Sequence, residues 1–287
     1  MSNRFTPKIL EIWKVLQNQV SPILVLIYTA LALIIFLFLP VLFGISVRVP
    51  FMGAFVEHTL MVNTVSPTRP GTWELNKLKL DFGYQIRAID DKPIANVAGL
   101  RTVLSEYAPG DTISLTLLSP EGQLQDYPVL LQRLPVLDRI SFFVIPYIVG
   151  LVYLICGLYV FGVRRYEASG RSFALFSTSV AIALAGLYDG YSTGVLVPVW
   201  TAALAVAGGA MFNLAMVFPE ATRPVKRHPY LSWMGYALAI PIAIYAVSTI
   251  YNFEHPTAYV LGWRFEFIFI GLAAIFFLVM VGLSRSR

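Results

Sequence analysis

The chain predicts a polytopic α-helical membrane protein with six spans and one small extracytoplasmic α+β domain, and three observations carry that expectation. Apolar residues fill 57% of the 287 positions and charged residues 13%, too little polar surface to enclose a water-soluble core of that size. Six apolar runs come near or above the ~20 residues a helix needs to cross ~30 Å of hydrocarbon. Between the first and second runs lies the only long stretch with regular charge and turn punctuation, residues 48–139.

Charge is distributed unevenly between these parts. Residues 48–139 hold 9 Lys/Arg and 10 Asp/Glu, and the remainder holds 12 basic and 6 acidic residues. The basic excess therefore flanks membrane spans and reads as a topology signal, so no nucleic-acid partner is expected. The single cysteine, Cys156, sits inside an apolar run, which excludes an intrachain disulfide and a cysteine metal cluster.

Taken in order, residues 1–21 form a cytoplasmic amphipathic segment. Phe5, Ile9, Ile12, Trp13 and Leu16 recur at helical spacing, opposite Lys8, Glu11, Lys14 and Gln17. Residues 22–47 form the first transmembrane helix. The run is too long for a signal-peptide core, and Arg48-Val-Pro follows it where a cleavage site would have small residues.

Residues 48–139 read as the outer domain. Gly53 lies in the apolar turn Pro50-Phe-Met-Gly-Ala-Phe55, and a strand is expected over about Thr59 to Val65. A loop follows from Ser66 to Trp73, then a strand from Tyr84 to Ile89 that ends in the turn residues Asp90-Asp91-Lys92-Pro93. Val97, Leu100, Val103 and Leu104 share one face of a helix over Ala95 to Tyr107. Pro109-Gly-Asp111 opens an alternating strand, and Ser119-Pro-Glu-Gly122 turns it into its return strand, about Leu124 to Leu131.

Residues 140–287 supply a five-helix membrane domain, with spans near 140–163, 172–189, 195–217, 231–251 and 265–283. With six spans, Arg4, Lys8, Lys14, Arg164, Arg165, Arg171, Arg223, Lys226, Arg227, Arg285 and Arg287 all fall on one side, and the opposite short loops carry only Arg264. The positive-inside rule then puts both termini in the cytoplasm and the 48–139 domain outside. Ionisable residues inside spans usually mark transport paths. Here Asp189 and Glu220 lie at span ends and Asn213 is the main amide at depth, so transport is a weak expectation. Gly186, Gly190, Ala203, Ala207, Gly208 and Gly209 allow close helix approach.

The order of apolar glycine turn, strand, long loop, Gly83-Tyr-Gln-Ile-Arg-Ala-Ile-Asp-Asp-Lys-Pro-Ile94, helix, Pro-Gly-Asp and strand pair resembles a bacterial PDZ domain over nearly all of residues 48–139. The pattern departs at Gly83-Tyr84 and Asp90-Asp91, where Gly-Asp and Asp-Gly are usual. The resemblance implies that Met52, Gly53, Ala54 and Phe55 form a loop whose N–H groups receive a peptide carboxylate. It also implies a groove between the following strand and the helix bearing Leu100, Val103 and Leu104, which takes the peptide as an added strand. Packing of this domain on the membrane helices or on a second copy, without any free peptide, is the alternative.

The whole arrangement, with Phe218-Pro219-Glu220 ending the fourth span, is similar to the multi-span sensory region of bacterial membrane histidine kinases of the quorum-sensing and competence type. That resemblance implies a multi-pass protein of the bacterial cytoplasmic membrane. It implies a peptide or apolar ligand outside, a kinase or other output domain inside, in the same chain or in a partner, and dimerisation. A stand-alone scaffold or assembly factor that tethers exported proteins or a protease is the alternative function.

No catalytic residue, metal ligand set or cofactor is expected. A zinc protease needs paired histidines on one helix face, and His58, His228 and His255 fall in different segments. There is no Gly-x-Ser-x-Gly elbow for a serine hydrolase and no Gly-Lys-Ser/Thr phosphate loop. The chain as given is therefore not expected to be an enzyme.

Overall fold

A computed structural model of the chain describes residues 19–78, 80 and 82–285; the amphipathic helix expected over residues 5–16 lies outside them. The first long helix, α1 (Ser21–Ser46), starts with Pro22 in its first turn, where a missing N–H costs nothing. Val25, Thr29, Ala32, Phe36 and Leu39 step along its buried face at intervals of three and four. Leu24, Ile27, Leu31, Ile34 and Leu37 point outward, as apolar side chains facing lipid do.

Past α1 the chain enters a small domain through a two-bond clasp. Phe51 N–H donates to Gln132 O at 2.7 Å and Gln132 N–H to Phe51 O at 2.9 Å, which joins the entering and leaving segments. The domain contains β1 (Gln85–Ile89), β2 (Lys92–Pro93), the short helix α2 (Val97–Leu104), β3 (Thr112–Leu118) and β4 (Leu124–Leu130). They form one antiparallel sheet in the order β2-β1-β3-β4. Alternation places Ile113, Leu115, Leu117 and Val129 on its buried face, a bulge between Ile86 and Ala88 brings both Ile86 and Ile89 to it, and α2 covers that face with Val97, Leu100 and Leu104. Asn96 caps α2 by accepting the Gly99 N–H at 2.8 Å.

The β1–β2 turn puts Asp90 and Asp91 at φ of 46° and 63°, the doubly left-handed geometry of a tight hairpin turn. The carboxylate of Asp90 repays that conformation by accepting the Ser114 N–H and the Tyr107 hydroxyl, each at 2.7 Å. The same Ser114 bond, followed by the Tyr107 bond, lowers its pKa below the usual carboxylate value.

Five further helices long and apolar enough to cross a membrane follow. They are α3 (Val136–Arg164), α4 (Ala168–Gly190), α5 (Val197–Val217), the segment Pro229–Thr249, and α8 (Pro256–Arg285). A short helix, α6 (Arg223–Arg227), precedes the Pro229–Thr249 segment, which closes with α7 (Met234–Thr249). The central helix is α5, packed against α4, α7 and α8. Small residues allow this: a Cβ on Gly235 would meet Gly209 O at 2.3 Å, so α5 and α7 touch backbone to backbone there.

Several sequence expectations are corrected. No strand forms over residues 59–65. Val56 and Val62 bridge across a tight turn instead, with Glu57 N–H bonded to Met61 O at 2.9 Å and Leu60 at φ 66°, and that turn is buried against the helices. The helix that carries span two begins at Val136, ahead of residue 140, with Asp138 accepting from Thr68 and Trp73 of the domain and Arg139 donating to the Leu134 carbonyl. The helix that carries span six begins at Pro256, ahead of residue 265, with Arg264 lying over the Phe82 and Trp263 rings. Arg171 lies in the first turns of α4, 5% exposed, and not in a polar loop.

Candidate ligand-binding site

A cavity of about 80 Å³ lies where the sheet domain meets the ends of the helices nearest it. Met52, Ala54 and Phe55 form one wall and Leu100 and Leu104 of α2 another; Leu134, Tyr188, Tyr191 and Ser192 close it from the membrane side. Gly53 and Val103 do not line it. Gly53 turns at φ 85° against the Glu74–Leu75 backbone, which a Cβ would meet at 2.3 Å, so only glycine fits there. Val103 is half-buried against the domain core. Among the described residues, the N–H groups of Gly53, Ala54 and Phe55 donate to no protein acceptor.

An aromatic seam holds the domain in this position. Phe55, 3% exposed, packs edge-on to Trp73 at 5.0 Å, Phe142 at 5.1 Å and Tyr188 at 5.9 Å, and stacks on Tyr191 at 5.7 Å. Trp73 is fully buried, and its Nε1–H donates to Asp138 Oδ2 at 2.8 Å while Thr68 N–H donates to Asp138 Oδ1 at 2.8 Å. The seam thus couples the loop after Ser66 to the first turn of α3.

Beside it the buried turn Glu57–Leu60 inserts among the outer loops. His58 Nε2 bonds the Ile250 carbonyl and its ring meets Tyr259 edge-on at 4.2 Å. Gln85 Nε2–H donates to Thr59 O at 2.7 Å and to Phe253 O at 3.1 Å, which ties β1 to the loop before α8. Burial pushes the Glu57 carboxyl up to about 7, against the opposing bond from Asn63, and holds the His58 imidazole below its ordinary value. Burial, and then the Glu57 charge, raises the Tyr191 phenol. Asp189 fastens the loop that carries Tyr191 by accepting the Leu196 N–H at 2.7 Å and the Thr193 hydroxyl.

The arrangement offers apolar walls together with Ala54, Phe55 and Arg101, which also line the cavity. These features suit the carboxylate end or apolar part of a ligand. Among the described residues, no group of three His, Cys, Asp or Glu residues could hold a metal ion.

Of the residues expected from the sequence, Met52, Ala54, Phe55, Leu100 and Leu104 line this cavity and Gly53 and Val103 do not, and the membrane-side walls and Arg101 were not foreseen. Tyr188 and Tyr191 read as an interfacial aromatic belt, a role with the same composition. It also missed Glu266, which α8 buries completely and whose carboxylate has no hydrogen-bond partner among the described residues. One acidic residue inside an otherwise apolar run was the available signal.

The chain matches no protein-family model and no curated protein.

Proposed function

We propose that the chain is a membrane-embedded sensory or receptor input module. Its outer domain, read as PDZ-like, takes a peptide or apolar ligand, and the helices pass the resulting bias to a cytoplasmic output, a histidine kinase or another domain in the same chain or a partner. The observation that carries this reading is the shared cavity: Phe55, Leu100 and Leu104 come from the domain, and Tyr188 and Tyr191 from α4 and the loop after it. A space of about 80 Å³ is well below the ~300 Å³ at which ligand pockets begin. A peptide end that enters must therefore part the domain from the helices, and its binding energy is spent on that separation. This is the differential affinity for two states that signalling requires.

The Ala54 and Phe55 N–H groups, which donate to no acceptor among the described residues, and Arg101 beside them support a carboxylate as the entering group. The test uses the full chain in nanodiscs with fluorescent apolar peptides, each supplied with a free and an amidated C-terminus, and hydrogen exchange read on both sides of the cavity. The sensor reading expects preference for the free carboxylate, with exchange rising at residues 188–192 as well as changing at 97–104. Binding that leaves 188–192 untouched would favour the scaffold function, and no binding would remove the groove.

A further inference from the structure

A second cavity, of about 270 Å³, opens at the other end of the bundle, away from the sheet domain. It lies among the first turns of α1 and α4, the last turns of α5 and the start of the Pro229–Thr249 segment. Its floor is polar and fixed: Asn213 Nδ2–H donates to Ser172 Oγ at 2.8 Å, and the Tyr236 hydroxyl faces both. Tyr28, bonded to Ser179 at 2.8 Å, adds a second phenol, and Leu24 and Leu175 supply apolar wall.

Arg171 is the unusual group in this lining. It is 5% exposed, yet among the described residues its one side-chain bond runs from Nη1–H to the Arg165 carbonyl at 3.2 Å. No carboxylate among the described residues pairs with it; the nearest acid in sequence, Glu167, is taken by Arg164 at 3.2 Å. A buried cation without a counter-ion is costly. Its position raises the cost, because Arg171 is the fourth residue of α4, where the helix dipole is positive and already disfavours a cation. Guanidinium and helix end together make an electropositive concavity beside apolar wall, an arrangement that an anion relieves.

We propose that this cavity binds an anionic amphiphile, with a phosphate or carboxylate head group on Arg171 and an apolar chain along Leu24 and Leu175. The site is at the far end from the domain groove and does not depend on the sensor reading. By sequence Arg171 is one more topology charge, and its place in a buried first turn is what separates it from Arg164 and Arg165.

The experiment is native mass spectrometry of the full chain, delipidated in detergent and titrated with short-chain phosphatidylglycerol, phosphatidylcholine and inorganic phosphate. Wild type should bind the anionic lipid at least tenfold more tightly than the zwitterionic one. Arg171→Gln should lose that preference, and Arg165→Gln should keep it. Leu175→Trp, which fills the cavity and keeps the arginine, covers the case in which Arg171→Gln does not fold, and it should also lose anionic-lipid binding. Unchanged lipid preference in folded Arg171→Gln or in Leu175→Trp overturns the site. Displacement of the lipid by inorganic phosphate at equal concentration overturns the amphiphile and leaves a simple anion site.

Discussion

Replacing Asp138 with alanine should unseat the sheet domain from the helices. The carboxylate is 1% exposed and accepts two donors, the Thr68 N–H and the buried Trp73 Nε1–H, both at 2.8 Å. Truncation removes both acceptors at once and leaves the indole N–H inside an aromatic seam, with Phe51 and Phe55 each 5.0 Å away. A hydrogen bond to a charged group contributes about 1.5–3 kcal/mol, so two set an upper bound of about 6 kcal/mol. The desolvation of the carboxylate, no longer incurred, returns part of that. We expect a net loss of about 3 kcal/mol. Asp138→Asn should lose less, because the amide keeps one acceptor and turns its NH₂ toward the other donor. The assay is denaturant unfolding of the full chain in detergent, paired with hydrogen exchange of residues 66–74, where the Thr68 amide reports the latch directly. A loss below about 0.5 kcal/mol with Thr68 still protected would refute the reasoning.

Four other outcomes can be measured. Glu57 titrates at about 7 in the folded chain against an ordinary 4.5, so its stabilising contribution is complete below 4.5 and is lost as pH rises through 7. The sum is about 3 kcal/mol to order of magnitude, and Glu57→Gln should flatten this limb of a thermal-midpoint profile. His58, with its folded pKa depressed, gives the opposite limb: its contribution is present above 6.5 and falls away on acidification, and it should persist in Glu57→Gln. Gly235→Val drives a side chain into the Gly209 carbonyl and should cost about 2 kcal/mol or more, whereas Gly162→Ala, with nothing within 4 Å, should stay within about 0.5 kcal/mol. Paired detergent unfolding curves separate the two. A reporter fused at Gly122, in the exposed β3–β4 turn, should be active outside the cytoplasm; activity inside would reverse the orientation drawn from the basic loops.

What the sequence made legible follows from how each feature is encoded. The spans were readable because lipid-facing helices such as α1 are apolar on nearly every side, and the sheet was readable because Ile113, Leu115 and Leu117 alternate with polar residues over one buried face. Span ends were misjudged where a charge is satisfied by protein, as at Asp138 and Arg264, since composition alone equates charge with water. The expected strand at 59–65 failed because β-branched and apolar residues suit any buried backbone. The turn Glu57–Leu60 is buried by the helices, a contact remote in sequence. The same remoteness hid half of the candidate site: Leu100 and Leu104 announce themselves by helical spacing, but their facing partners Tyr188 and Tyr191 lie more than eighty residues later.

That facing pair gives the most direct test. Tyr191 stacks on Phe55 and walls the cavity, so Tyr191→Ala should weaken closure while every residue of the Met52–Phe55 loop is kept. If the docked domain closes the groove, the open form is a minor state and the apparent affinity is reduced by its population. The measurement is the affinity of one fluorescent apolar peptide with a free C-terminus for wild type and Tyr191→Ala in nanodiscs. The account predicts tighter binding by the variant, about tenfold for each ~1.4 kcal/mol of docking lost. Equal or weaker binding by a folded variant would contradict it.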